Sequence, residues 1–195
     1  MQLIIGNRSR SSWSLRPWIL LKHFGIPFEE VRTLPHELAP SGKFPCLLDG
    51  PTQVWESLAI CEYLAESFPE LPFWPQDKAL RAEARALAAE MHAGFDALHR
   101  HYPMADRQGA RRPHPPEVER DLTRFAVLVE SLRARHAAHG PFLMGTFGIV
   151  DAMYLPLAAR CQAYGLALPV RTHAWMQTVL TLPHVREWYG AEAPR

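Results

Sequence analysis

Leu3-Ile4-Ile5-Gly6, then Ser11-Ser12-Trp13-Ser14-Leu15-Arg16, then Pro17, Leu20, Leu21 and Phe24 make up the stretch from which the architecture can be read. The short apolar run that ends at Gly6 predicts a buried strand. Helical spacing of apolar residues from Ser14 to Phe24 predicts a helix, with Pro17 in its first turn and Gly25 as its stop. Beyond it, Phe28-Glu29-Glu30-Val31-Arg32 alternates like a second strand. Phe44-Pro45-Cys46-Leu47-Leu48 reads as a strand entering a turn at Asp49-Gly50, with Thr52 to Trp55 as its hairpin partner. Ser57 to Phe68 carries Leu58, Cys61, Leu64 and Ala65 on one helical face. The predicted order is β-α-β followed by β-β-α.

Three prolines between Pro69 and Pro75 mark a linker. Everything beyond reads as helix. Leu80 to His101 is dense in Ala, Glu, Arg and Leu, all strong helix formers. A second long helix begins at Pro116 or Glu117 and runs to about His139, a third runs from Gly148 towards Tyr164, and one or two shorter ones fill Thr172 to Tyr189. The expected domains are therefore 1–73, α/β, and 78–195, all-α. A chain of 195 residues with 48% hydrophobic residues supports a sizeable core, and a net charge of +1 argues against a nucleic-acid binder. Phe142 to Ala159 is nearly uncharged but is interrupted by Asp151 and Pro156, so a buried helix is expected there and not a membrane span. Cys46, Cys61 and Cys161 are too scattered for a disulfide framework or a zinc site, and suit a reducing cytosol. The N-terminal apolar run is too short for a signal peptide, so a soluble cytoplasmic protein is expected.

Three local patterns carry chemistry. The serine turn at residues 11–14 lies where a strand meets a helix, and a helix N-terminus with hydroxyls beside it suits a thiolate or a phosphate. Read alone, the same turn is more plainly a helix cap made by Ser14 or Ser12. In Lys43-Phe44-Pro45-Cys46-Leu47, a cis bond before Pro45 would expose backbone groups to a bound peptide, and an ordinary trans turn is the plainer reading. Glu56-Ser57 heads a helix: Ser57 can cap it, while Glu56 can accept from a ligand ammonium group or simply be solvated.

Together these patterns resemble the glutathione transferase family over essentially the whole chain. The serine turn is similar to that of the zeta class, which includes maleylacetoacetate isomerases, and suggests a serine-type bacterial member. Ser41-Gly42-Lys43-Phe44-Pro45 and Trp55-Glu56-Ser57-Leu58-Ala59-Ile60 look like the family's two glutathione-binding stretches. Phe147-Gly148-Ile149-Val150-Asp151-Ala152 looks like its helix-six folding motif. The resemblance implies a thioredoxin-like N-terminal domain followed by an all-helical one, working as a homodimer. It also implies roles for individual residues. Ser11, with Ser12 as second candidate, would hydrogen-bond the glutathione sulfur. Phe44, ahead of a cis Pro45, would pair with the cysteine backbone. Glu56 and Ser57 would hold the γ-glutamyl end, and Lys43 would reach the glycine carboxylate.

The activity so implied is transfer of the glutathione thiolate to a small electrophile, as in detoxification. The alternatives are glutathione-dependent cis–trans isomerisation of the maleylacetoacetate type, or non-catalytic binding of a ligand or protein. Glutathione is the expected co-substrate, and no metal is expected. The chain departs from the family pattern in two places. Only eight residues, Thr33 to Pro40, separate the second strand from Ser41, where the family has a short helix that helps bind the glycine end of glutathione. Gly148 stands where the family has an N-capping Ser or Thr. His92, His99 and His101 are expected on one long solvated helix, where the i, i+2 spacing of the last two argues against a metal. Arg107, Arg111 and Arg112 read as a solvated loop.

Overall fold

The computed structural model of the protein describes residues 1–32, 40–104 and 114–190. The elements run β1 (Gln2–Ile4), α1 (Ser12–His23), β2 (Glu29–Val31), β3 (Cys46–Asp49), β4 (Thr52–Trp55), α2 (Ser57–Ser67), α3 (Lys78–Ala93), α4 (Asp96–His101), α5 (Pro116–His136), α6 (Ile149–Ala163), α7 (Val170–Leu180) and α8 (Pro183–Gly190). A short 3-10 turn over Ala137–His139 follows α5. Most of the shortened 33–40 segment, and Arg107, Arg111 and Arg112, lie outside the described residues.

The sheet has the order β2-β1-β3-β4, with β1 parallel to β2 and antiparallel to β3. A parallel pair needs a crossover, and α1 supplies it. Alternation along the strands then sorts side chains to two faces. Leu3, Ile5 and Leu47 join the main core, which continues through α1 into α6, while Ile4 and Cys46 form a smaller cluster on the opposite face. This is the expected architecture: a thioredoxin-like α/β domain followed by an all-helical one.

Helix α6 is the axis of the second half. From Ile149 to Ala158 every residue is buried, so the uncharged run is explained by enclosure on all sides. No helix among the described residues is long and apolar enough to cross a membrane. Asp151 is fully buried at the first turn of α6, where its Oδ1 accepts from Leu143 N at 2.9 Å and from Trp175 Nε1 at 2.8 Å. One carboxylate thus ties the preceding loop and α7 to α6. Gly148 has a positive reason to be glycine. The linker carbonyl of Phe73 accepts from Ile149 N at 3.0 Å, and a β-carbon at 148 would lie 2.7 Å from that oxygen.

Two helix boundaries differ from expectation. Helix α1 starts at Ser12, so Pro17 falls in the second turn and leaves the carbonyl of Trp13 without its i+4 donor. The expected single helix Leu80–His101 is two helices. Gly94 closes α3, and Phe95 takes a left-handed conformation, φ 61° and ψ 29°, that puts its ring into the core against Tyr154. Burial of that ring offsets the cost of the break, and helix propensity records nothing of it.

Candidate functional site

Ser11 is the N-cap of α1. Its Oγ accepts from Ser14 N at 3.2 Å and shares a 2.7 Å hydrogen bond with Ser14 Oγ. Ser14 is fully buried and its Oγ also accepts from Gly6 N at 3.2 Å. With Ser14 donating to Ser11, the Ser11 hydroxyl proton is left to point outward. The cap is therefore Ser11, and neither Ser12 nor Ser14 as the residue reading alone allowed. Ser12 is buried, 6% exposed, and does not line the cleft in front of Ser11.

That cleft is open and holds about 410 Å³. The tip of β1 contributes Gly6, the next loop Asn7 and Arg10, the head of α1 Ser11 and Trp13, and the chain before β3 Gly42, Lys43 and Phe44. The Phe44–Pro45 peptide is cis. Gly6 is the residue that lets these parts meet, since a β-carbon there would lie 2.8 Å from the Phe44 ring and 3.3 Å from Ser11 Cβ. Lys43 is exposed, Phe44 half-buried and Pro45 buried behind it.

Glu56 and Ser57 sit at the head of α2, outside the lining of this cleft. Ser57 is not a cap: it is fully buried, and its Oγ accepts from Arg16 Nη1 at 3.4 Å. Glu56 holds the N-cap position without a side-chain cap bond, at φ 72° and ψ 129°. Such a backbone costs about 1–3 kcal/mol in a non-glycine residue, and strain of this kind gathers at functional sites. The Glu56 carboxylate is exposed and lies 3.6 Å from His92 Nε2.

Arg16 is the residue that sequence reasoning missed. It projects from α1 into the core with no exposure, its guanidinium 4.1 Å from the Trp13 ring centroid. Burial lowers its pKa to about 10, so it stays charged at neutral pH. An arginine two residues past the serine turn was visible, but its inward direction was not. His92 and His99 also depart from expectation. Both lie beside Trp13, with ring centroids 5.4 and 5.8 Å away, and both are half-buried. Burial, then Arg160 and Arg16, pushes His99 down to about 4, which keeps it neutral. His101 stays exposed near Glu117. No group of three metal-ligating side chains occurs among the described residues. All three cysteines are buried, and burial raises Cys61 and Cys161 to about 12, so neither is a thiolate at neutral pH.

The loop that delivers Ser11 is anchored from behind. Arg8 pairs with Glu30 of β2 and stacks between Trp18 of α1 and Trp188 of α8, at 4.8 and 5.2 Å.

Residues 10–67 match the glutathione S-transferase N-terminal domain. Over 99 residues the chain is 34% identical to a probable maleylacetoacetate isomerase of Caenorhabditis elegans, an alignment that covers 47% of the chain and 46% of that relative. A stringent starvation protein A homolog of Haemophilus ducreyi is 25% identical over 188 residues, covering 91% of the chain and 85% of the relative. Among solved structures, a glutathione transferase homolog from Burkholderia with bound glutathione superposes over 100% of this chain and 98% of its own, with TM-score 0.79 and 21% identity. A maleyl pyruvate isomerase described as a bacterial zeta-class glutathione S-transferase superposes over 100% and 99%, with TM-score 0.73 and 22% identity. The chain thus carries a glutathione S-transferase N-terminal domain over residues 10–67 and has the glutathione transferase fold over its full length.

Proposed function

We propose that the cleft at the head of α1 binds glutathione and that the protein transfers its thiolate to a small electrophile. The reading assigns residues 1–73 to glutathione and residues 78–195 to the electrophile. The observation that carries it is the Ser11 hydroxyl, which lines a cleft at the N-terminus of a helix together with Phe44; with Ser14 as the donor in their shared hydrogen bond, the Ser11 proton is available to the cleft. A thiol with pKa about 8.5 is only a few per cent thiolate at neutral pH. A hydroxyl donor and the unpaired amides of a helix start both favour the anion, and lowering the pKa by roughly two units makes thiolate the main form. The sulfur then forms a bond to the electrophilic carbon, and the leaving group departs with the electron pair. In this reading Phe44 pairs its backbone with the cysteine of glutathione, Glu56 holds the γ-glutamyl end with Ser57 buried behind it against Arg16, and Lys43 faces the glycine end. Isomerisation remains the second reading, because two relatives are named as isomerases. Ser11 would then activate a thiolate that adds to the substrate and leaves again.

The shortened 33–40 segment gives this reading a direct test. A charge-assisted bond to the glycine carboxylate is worth roughly 1.5–3 kcal/mol. Without the segment that makes it in the family, affinity should fall about tenfold to a hundredfold, into the millimolar range. Calorimetric titration should therefore show γ-glutamylcysteine binding nearly as well as glutathione, and an analogue without the γ-glutamyl ammonium losing most of its binding. A strong preference for the full tripeptide would show that the glycine site has been rebuilt. No binding of either would remove the proposal.

A homodimer is part of the same reading. Ala82, Ala86, Ala89 and Ala93 form an exposed stripe along α3, and Trp55, at the end of the edge strand, is 43% exposed. An obligate pairing should bury over ~1,200 Å². Sedimentation at micromolar concentration is expected to give twice the 22.2 kDa chain mass, and a single-chain mass would refute it.

A further inference from the structure

Glu56 and His92 face each other across the boundary between the two halves of the chain. Glu56 heads α2, yet its exposed carboxylate makes no cap bond to that helix. It lies instead 3.6 Å from Nε2 of His92, in the last turn of α3. The half-buried histidine ring packs edge-on against Trp13, with centroids 5.4 Å apart, and Trp13 is itself a wall of the serine cleft. The pair and the cleft thus share one indole between them. His92 Nδ1 is enclosed and has no partner among the described residues, which leaves Nε2 as the nitrogen able to meet a ligand.

The state of the pair follows from its surroundings. Burial, then the Arg16 guanidinium, holds the His92 pKa below its ordinary value of 6.5, against the pull of Glu56. The ring is therefore mostly neutral at pH 7, and a neutral imidazole facing a carboxylate keeps its one proton on the facing nitrogen. An acceptor and a donor then stand 3.6 Å apart. An α-amino acid head carries the complementary pair, an ammonium nitrogen and a carboxyl carbon about 2.5 Å apart on a single carbon. Ser57, the other polar side chain at the head of α2, is fully buried against Arg16 and turns no hydroxyl outward. The carboxylate of such a head therefore needs another donor, and His92 Nε2–H is beside it.

We infer that Glu56 and His92 together receive a zwitterionic α-amino acid head, Glu56 taking its ammonium group and His92 Nε2–H its carboxylate. The inference rests on the glutathione reading and adds to it a specificity residue from the helical half. It is tested by calorimetric titration with three ligands. Glutathione carries the whole head, γ-aminobutyryl-cysteinylglycine keeps the ammonium but lacks the carboxylate, and γ-glutamylethylamide carries the head without a thiol. The wild type should bind the γ-aminobutyryl peptide about tenfold more weakly than glutathione, the cost of one hydrogen bond to a charged group. His92→Phe keeps a ring against Trp13 but has no donor. It should weaken glutathione and γ-glutamylethylamide about tenfold and leave the γ-aminobutyryl peptide within about twofold. His92→Gln restores a donor and should recover part of the loss. Unchanged glutathione affinity in His92→Phe would show that the backbone amides of α2 hold the carboxylate alone, and would overturn the inference while the glutathione reading stands. An equal loss for all three ligands would reduce His92 to a packing role and overturn it as well. Binding of γ-glutamylethylamide that depends on His92, in a protein that gives glutathione no added affinity and no turnover, would keep the head-group site and sink the transfer reading.

Discussion

Replacing Asp151 with alanine is expected to destabilise the protein by about 3–5 kcal/mol, the range in which a buried hydrogen-bond network is broken. The substitution strands Leu143 N–H and the Trp175 indole N–H in a fully buried place, where water cannot replace the lost acceptor. Asp151→Asn keeps an oxygen for both donors and should cost less than half as much. The two variants also separate by pH. Burial raises the Asp151 pKa from 3.8 to about 6, against the opposing pull of the Leu143 and Trp175 donors. A carboxyl group with a raised folded pKa contributes its stability below the unfolded value and loses it as pH rises through the folded one. Wild-type stability should therefore contain a component that declines between about pH 4 and 6, on the order of 3 kcal/mol. Asp151→Asn has no such proton to lose, so its denaturant midpoints should lack that decline. Identical pH profiles for the two proteins would show that Asp151 does not titrate in this window.

Ser11→Ala is expected to lower turnover of chlorodinitrobenzene by ten- to a hundredfold, roughly 1.4–2.7 kcal/mol, the scale of one donor lost from a developing anion. Backbone amides at the start of α1 remain, so activity should not vanish. The same substitution removes the helix cap at a cost of about 1 kcal/mol, which a melting curve reports independently. Ser12→Ala is expected to stay within about twofold, since Ser12 is buried away from the cleft. A dead Ser12→Ala beside an unimpaired Ser11→Ala would mean that the other serine meets the sulfur. If both are active, the serine mechanism falls. The thiolate fraction, read from the pH dependence of kcat/KM, should move with Ser11→Ala, whereas loss of the cap alone would leave it in place.

The junctions that build the candidate site were legible, and the limit falls at a definable point. The serine turn, the Lys43-Phe44-Pro45 stretch and the Glu56-Ser57 pair each lie beside a strand end or a helix start, and local spacing marks such junctions. Their individual roles were less legible. Which serine caps α1 depends on where Gly6 N–H donates, a contact eight residues back along the chain. Ser57 looks like a cap in its own sequence and is instead an acceptor for Arg16, 41 residues away. Gly148 reads as a weakened cap until the Phe73 carbonyl is seen to occupy the space a side chain would need.

By itself the sequence determined the order of strands and helices and the enclosure of α6. These follow from periodicity, turn residues and composition, which act over a few neighbouring positions. Only the tertiary structure decided the break at Gly94-Phe95, the burial of Arg16 and Arg160, and the meeting of His92 and His99 at Trp13. Propensity favoured one continuous α3–α4 helix and solvated histidines. Packing the Phe95 ring against Tyr154 outweighed that preference, and the resulting turn carried His99 beside Trp13. The energy that settled these points comes from side chains distant in sequence, and no local pattern records which of them will touch.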